Sequence, residues 1–461
     1  MTKIHDVHVL GDRTGDAGLT WGQQCIWDEA ESFAPDHAHF NMSLVLDVPP
    51  DAEPADVLRV LKVLLEDRES LRTVYPRSAS GRPYQHVPPA ALLRVVERDA
   101  AGERARDAAD ALAAELRGVP FSLDEFPVRA GIVTGGGRPL HLVLVVFHLA
   151  ADAWDMGGLA AEAEQLLGSR GAPTGPEAER RPHPLDQAAW EAGPEGQEVS
   201  RRSVRYWRKQ LADWPSDVFR GRAAAPEPLR FHEVYVESEA MAVALYGLAR
   251  ALRTSPTAVF IGLASTALGR LTGGSRAHFL LGFHNRVTLA ETRATGTVAQ
   301  DAPITVDLAG ADFAAVVHRA ARAAMSSYAA AKWDPAEVAA AVAEVERGRG
   351  EPVDLSCNIN LRLAMNGVDH GLAERAGRAT PDELAELRAR TRISQEIGTA
   401  RDRAGRKFFL RVVHHSSDAV EVSLRADTAV LSRNEIVGHL MELEEAAVRC
   451  WADVRDGALP R

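Results

Sequence analysis

The stretch His141-Leu-Val-Leu-Val-Val-Phe147-His148-Leu-Ala-Ala-Asp152-Ala153-Trp154 decides how the chain is read. Its first seven residues are a short bounded run of apolar character, the pattern of a strand buried in a sheet. Met156-Gly-Gly-Leu-Ala-Ala-Glu-Ala-Glu-Gln-Leu-Leu167 follows with helical periodicity, so the order is strand, tight turn, helix. His148 therefore sits where a buried strand leaves its sheet, and Asp152 follows at the H-x-x-x-D spacing that an acyl-transfer site can use. Spacing alone is weak evidence: with 16 histidines, about one such match is expected by chance. His414-His-Ser-Ser-Asp418 is a second match. It lies between the β-rich runs 407–413 and 420–424, where a polar cluster reads as a hairpin turn with a structural role.

Working outward, 461 residues exceed one compact core and imply two domains. Gly168-Ser-Arg-Gly-Ala-Pro-Thr-Gly-Pro176 and Arg180-Arg-Pro-His-Pro184 replace apolar periodicity with Gly, Pro and charge. The expected partition is thus 1–175, carrying the H-x-x-x-D turn, and 176–461. Helical patterns over 54–65 and 104–116 precede the strand ending in Phe147-His148. Patterns over 241–252 and 257–271 likewise precede His278-Phe-Leu-Leu-Gly-Phe-His284, another apolar run ending in Phe-His. The halves read as two versions of one α/β plan.

A net charge of −11 and a pI near 5.8 argue against a nucleic-acid surface, which needs a basic excess to displace counterions. Cys25, Cys357 and Cys450 are widely spaced and odd in number, so they read as reduced thiols, not disulfides or zinc ligands. Residues 1–7 lack a secretory leader pattern, and no apolar run approaches the length of a membrane span. The expectation is a soluble, cytoplasmic protein with no membrane contact. Gly135-Gly-Gly137 lacks the following Lys-Ser/Thr of a phosphate loop; no G-x-S-x-G or H-E-x-x-H occurs. No intrinsic nucleotide or metal cofactor is expected.

Phe147-His-Leu-Ala-Ala-Asp-Ala-Trp-Asp-Met-Gly157 resembles the H-H-x-x-x-D-G-W-S-M-G signature of condensation domains from nonribosomal peptide synthetases. These belong to the chloramphenicol acetyltransferase-like acyltransferases. Other motifs are similar and follow the family's order. Leu19-Thr-Trp-Gly-Gln-Gln-Cys-Ile-Trp27 looks like the opening motif, and Glu69-Ser-Leu-Arg-Thr-Val-Tyr75 matches E-x-L-R-T-x-F. Tyr206-Trp-Arg-Lys-Gln-Leu211 resembles Y-W-x-x-x-L, His284-Asn-Arg286 the H-N-R motif, and Gly296–Pro303 a degraded G-x-F-x-N-x-x-P. Cys357-Asn-Ile-Asn360 lies where F-N-Y-Q is usual. Departures are Phe147 for the first histidine, Ala153 for the glycine, Asp155 for the serine, and Asp67 where the second motif usually starts with arginine. If Ala153 needs a positive φ, strain of about 1 kcal/mol follows.

The resemblance implies two open α/β sandwich subdomains of the acetyltransferase type, arranged as a V-shaped pseudo-dimer around a central tunnel. It implies a stand-alone condensation enzyme that joins a carrier-bound acyl or aminoacyl thioester to an amine or hydroxyl acceptor. An acyl or peptidyl carrier protein acting in trans would bring the thioester on its phosphopantetheine arm; the acceptor is a small molecule or carrier-bound. His148 deprotonates or orients the acceptor nucleophile. Asp152 is structural, pairing with Arg286. Ala153, Trp154 and Asn358 are placed along the tunnel, with packing the heavier role for Trp154 and two readings open for Asn358, a substrate contact or a bond to a neighbouring loop. Gly157 is read as permitting close approach, and Arg72 as a helix cap or interdomain ion pair. Arg201, Arg202, Arg205, Arg208 and Lys209 offer a basic patch for an acidic carrier, with a solvated helix face as the plainer explanation. Alternatives are a non-catalytic docking module, an O-acyltransferase using acyl-CoA and, least supported, an epimerase-like relative.

Overall fold

His141–Phe147 lies within a longer strand, Arg138–Phe147, that is buried on both faces from Leu142 to its end. This explains why its sequence is continuously apolar, since a strand with one wet face would alternate. Leu142, Leu144 and Val146 pack on one side with Val57, Val60, Leu61 and Leu64 from one helix and Leu159 and Ala163 from another. Val143 packs on the other side with Ala109, Leu112 and Ala113, while Val145 and Phe147 join Phe40, Tyr75 and Phe121. Period-two geometry sends alternate residues of the run to different cores.

The computed structural model describes residues 2–171, 181–222, 224–228, 230–363, 370–395, 405–414 and 418–455. By internal contacts it divides into two units. One is Met1–Val199 with His284–Gln300, and the other is Ser200–Phe283 with Asp301–Arg461. The partition expected at 175/176 falls on residues outside the described ones. The observed units also differ from it by returning 284–300 to the first, a long-range exchange that no local change of composition announces.

In the first unit the strands are β1 (Thr2–Leu10), β2 (Gly15–Gly18), β3 (Asn41–Asp47), β4 (Tyr84–Val87), β5 (Ala90–Asp99), β6 (Val128–Gly135) and β7 (Arg138–Phe147). Five form a sheet in the order β1-β5-β6-β7-β3, and β2 pairs with β4. β7 runs antiparallel to both neighbours, and its last residue, Phe147, lies opposite Asn41 at the start of β3. The helix Pro54–Asp67 covers one sheet face; Ala105–Arg117 covers the other.

In the second unit the strands are β8 (Phe231–Ser238), β9 (Arg276–Phe283), β10 (Gln300–Asp307), β11 (Cys357–Arg362), β12 (Arg392–Gln395), β13 (Phe408–His414) and β14 (Val420–Asp427). Their order is β10-β9-β11-β13-β14-β8-β12. β13 and β14 are antiparallel, as expected for the hairpin around the second H-x-x-x-D, although 415–417 lie outside the described residues. The helices Glu239–Ala251 and Pro256–Thr272 match the expected patterns, each opened by a serine whose side chain accepts an N–H of the first turn. With Arg433–Arg455 they bury one large apolar cluster against the sheet.

Candidate functional site

Asp152 begins the helix Ala153–Gly168: its backbone is extended and its Oδ1 accepts the Asp155 N–H at 3.0 Å, the geometry of an N-cap. The same carboxylate, 2% exposed, accepts through Oδ2 from Arg286 Nη1 at 2.7 Å and from the N–H groups of Val298 and Ala299, each at 3.1 Å. Burial acts to raise its pKa, but the Arg286 guanidinium and the backbone donors win and hold it below the usual carboxylate value. Asp152 thus stays ionised, and its acceptor capacity is spent on the protein.

Arg286 is equally committed. Besides Asp152 it donates to the carbonyls of His284 (3.1 Å), Ala294 (3.3 Å) and Gly296 (2.8 Å). The H-N-R turn that presents it needs Asn285 in the left-handed region, at φ 57°, and asparagine is among the few residues that tolerate this. Gly296 has φ 91°, and a Cβ there would meet Pro184 Cγ at 2.7 Å, so glycine is required on two counts. The segment 294–299 is consequently drawn onto the first turn of the helix.

His148 follows β7 directly, with its N–H donating to the Phe40 carbonyl at 3.0 Å. The Thr297 hydroxyl donates to the His148 carbonyl. Gln23, from the opening motif, donates through Nε2 to the next carbonyl, Leu149, at 3.3 Å. The backbone around the histidine is therefore pinned from both sides. Leu149, Ala150 and Ala151 are buried, whereas His148 itself is partly exposed, with its Nδ1 buried.

Two residues carry more of the site than the sequence reading assigned them. Asp155 and Arg68 are buried, with side chains 4% and 5% exposed, and pair at 2.5 Å. Asp155 Oδ2 also accepts the Gly296 N–H at 2.7 Å. Burial and the nearby Asp152 raise the Asp155 pKa, with Arg68 and Arg286 opposing. Arg68 continues to Glu162 at 2.7 Å, and Arg181 links Glu162 to Asp67. The available signal was a second acid three residues after Asp152 in an apolar helix, together with an arginine preceding E-x-L-R.

Phe147 packs beneath the turn as expected, 2% exposed and stacked on Phe121 with centroids 5.7 Å apart. Trp154 stacks on His284 at 4.4 Å and donates its indole N–H to the Thr292 carbonyl at 3.1 Å. Ala153 is the first residue of the helix and is absent from the positive-φ residues, which removes the anticipated strain. Gly157 is corrected: it is exposed, and a Cβ there would meet nothing within 4 Å, so close approach is not its role. Arg72 is a cap, its guanidinium donating to the carbonyls of Leu65 and Glu66 at the end of Pro54–Asp67. Asn358 belongs to the second unit. It is 2% exposed and donates to Asp301 Oδ2 at 2.9 Å.

Among the described residues no three His, Cys, Asp or Glu side chains group as a metal site, and no helix is long and apolar enough to cross a membrane. The helix Pro194–Leu211 buries Ser203, Val204, Trp207 and Leu211 and exposes Arg201, Arg202, Arg205, Arg208 and Lys209, with Arg208 tied to Glu344 at 2.9 Å.

Two α/β units, one presenting a partly exposed histidine ahead of a buried aspartate–arginine pair, have the form of a chloramphenicol acetyltransferase-like acyltransferase. Residues 15–356 match the model of the condensation domain, and the chain belongs to that family, whose members form amide or ester bonds. A probable non-canonical nonribosomal peptide synthetase, CymA of Salinispora arenicola, is 31% identical over 212 residues, covering 43% of this chain and 3% of that protein. The chain spans only a small part of curated relatives such as these, from 3% of that protein to 22% of the phosphinothricin tripeptide synthetase PhsB of Streptomyces viridochromogenes. Among solved structures, one described as the molecular basis for condensation domain-mediated chain release from the enacyloxin polyketide synthase has a TM-score of 0.71 at 20% identity. It covers 96% of this chain and 83% of that one. The complex of the X-domain and OxyB from teicoplanin biosynthesis has a TM-score of 0.68 at 18% identity, with 96% and 94% covered. These likenesses show the shared fold.

Proposed function

We propose that this chain is a free-standing, cytoplasmic condensation enzyme in nonribosomal peptide or related natural-product biosynthesis. It joins an acyl or aminoacyl group, held as a phosphopantetheine thioester on a carrier protein in trans, to an amine or hydroxyl acceptor. The observation that supports this reading most is the partly exposed His148 beside a fully engaged Asp152–Arg286 pair. Asp152 has no role left as a proton acceptor, so the imidazole is the group that takes or directs the acceptor proton.

Attack on the thioester carbonyl forms the new C–N or C–O bond as the acceptor loses its proton; collapse then expels the pantetheine thiolate, which recovers a proton. A free α-amine, with a pKa near 7.7–8.0, is partly neutral at pH 7, so orientation by His148 contributes much of its catalysis. A hydroxyl acceptor relies more on proton removal. His148→Ala should lower turnover of a loaded carrier protein by about 10²–10⁴-fold, followed as product by mass spectrometry. Unchanged turnover would reject the assignment.

The second reading is a non-catalytic docking module. The likeness to an X-domain solved with a bound partner favours it, as do Phe147, Ala153 and Asp155 in place of signature residues. Loaded carrier protein and acyl-CoA offered in parallel separate the readings: consumption of the first, of the second, or of neither supports the condensation enzyme, the O-acyltransferase or the docking module.

A further inference from the structure

We propose that Asp155 and Arg68 are positioning residues for His148, forming a second carboxylate–guanidinium clamp that this chain uses alongside Asp152–Arg286. The inference rests on the reading of His148 as the working group and adds to it.

The connection can be followed atom by atom. Arg68 Nη1 donates to Asp155 Oδ1 at 2.5 Å; Asp155 Oδ2 accepts the Gly296 N–H at 2.7 Å. The next residue, Thr297, donates its hydroxyl to the His148 carbonyl, and the two after it, Val298 and Ala299, donate their N–H groups to Asp152. Asp155 therefore holds one end of a four-residue segment whose other contacts grip the histidine and its aspartate. Arg68 also bonds Glu162 at 3.0 and 2.7 Å. Asp155 and Glu162 lie two helical turns apart on one face, so a single guanidinium bridging them fixes the rotation of the helix capped by Asp152.

A role confined to stability is a poor match for this arrangement. Well-packed apolar residues often replace a buried ion pair without loss, because desolvation offsets the attraction. What apolar residues cannot supply is an acceptor for the Gly296 N–H and a directional hold on the helix.

The test uses the full chain with loaded carrier protein and saturating acceptor. Asp155→Asn and Arg68→Met should each lower kcat at least tenfold, with KM values for donor and acceptor within twofold of native. The double variant Asp155→Leu/Arg68→Met should recover melting temperature relative to either single variant and still lack kcat. A double variant with kcat within twofold of native would overturn the proposal. A readout independent of turnover is the His148 imidazole resonance in ¹⁵N NMR, assigned with His148→Gln. It should move in Asp155→Asn and stay in place in Glu444→Gln, which removes a buried carboxylate charge paired with Arg388 in the second unit. An unmoved resonance in Asp155→Asn would overturn the proposal even if native turnover were absent, whereas absent turnover with a moved resonance would count against the catalytic reading alone.

Discussion

Arg286→Met removes four donated hydrogen bonds at once, to the Asp152 carboxylate and to the carbonyls of His284, Ala294 and Gly296. The side chain it replaces is 0% exposed, and the carboxylate left behind is 2% exposed. Breaking a buried pair by removing one partner costs about 3–5 kcal/mol, because the remaining charge has neither water nor a counter-ion. Three backbone N–H donors still reach Asp152, which favours the lower half of that range. The orphaned carbonyls push the other way, at about 1–3 kcal/mol for each one kept from water. A net loss of about 4 kcal/mol corresponds to a melting shift of roughly 8–16 °C for a unit of this size. Differential scanning calorimetry on the full chain should show that shift confined to one transition, with turnover down about 100-fold at temperatures where the variant remains folded. A variant that melts within 2 °C of native would refute the reasoning, since it would mean the pair is neither desolvated nor bearing on the turn.

Gly157→Ala should stabilise the protein by about 0.5–1 kcal/mol in chemical denaturation, because the added methyl meets open space inside a helix and reduces unfolded-chain entropy. For pH, burial lowers the pKa of His183 and of His439 to about 4 from 6.5. Their folded values lie below their unfolded values, so the stability they contribute is complete above 6.5 and drains away as pH falls towards 4. By pH 5 each should have lost about 2 kcal/mol. The melting temperature should therefore fall between pH 7 and 5, and His439→Gln should flatten that slope.

Much of the fold was legible because helices and strands are local devices. The run before His148 is apolar on both faces because the strand is buried on both, and the helix after Asp152 shows its period directly. The Asp152–Arg286 pair was anticipated through the resemblance of two motifs, not through spacing, since 134 positions separate its partners. Gly157 was misread for the opposite reason. A glycine near a presumed site suggests close packing, yet helical geometry turns this one outward.

By itself the amino-acid order determined the strand, the turn and the helix that present His148, since periodicity and steric limits on φ and ψ act within a few residues. Tertiary structure alone decided that 284–300 returns to the first unit, that Thr297 grips the histidine's carbonyl, and that Asp155 draws Arg68 into the interior. A charged group is kept inside only where desolvation is met by a partner, and such partners are chosen by three-dimensional proximity, which no local window of sequence encodes.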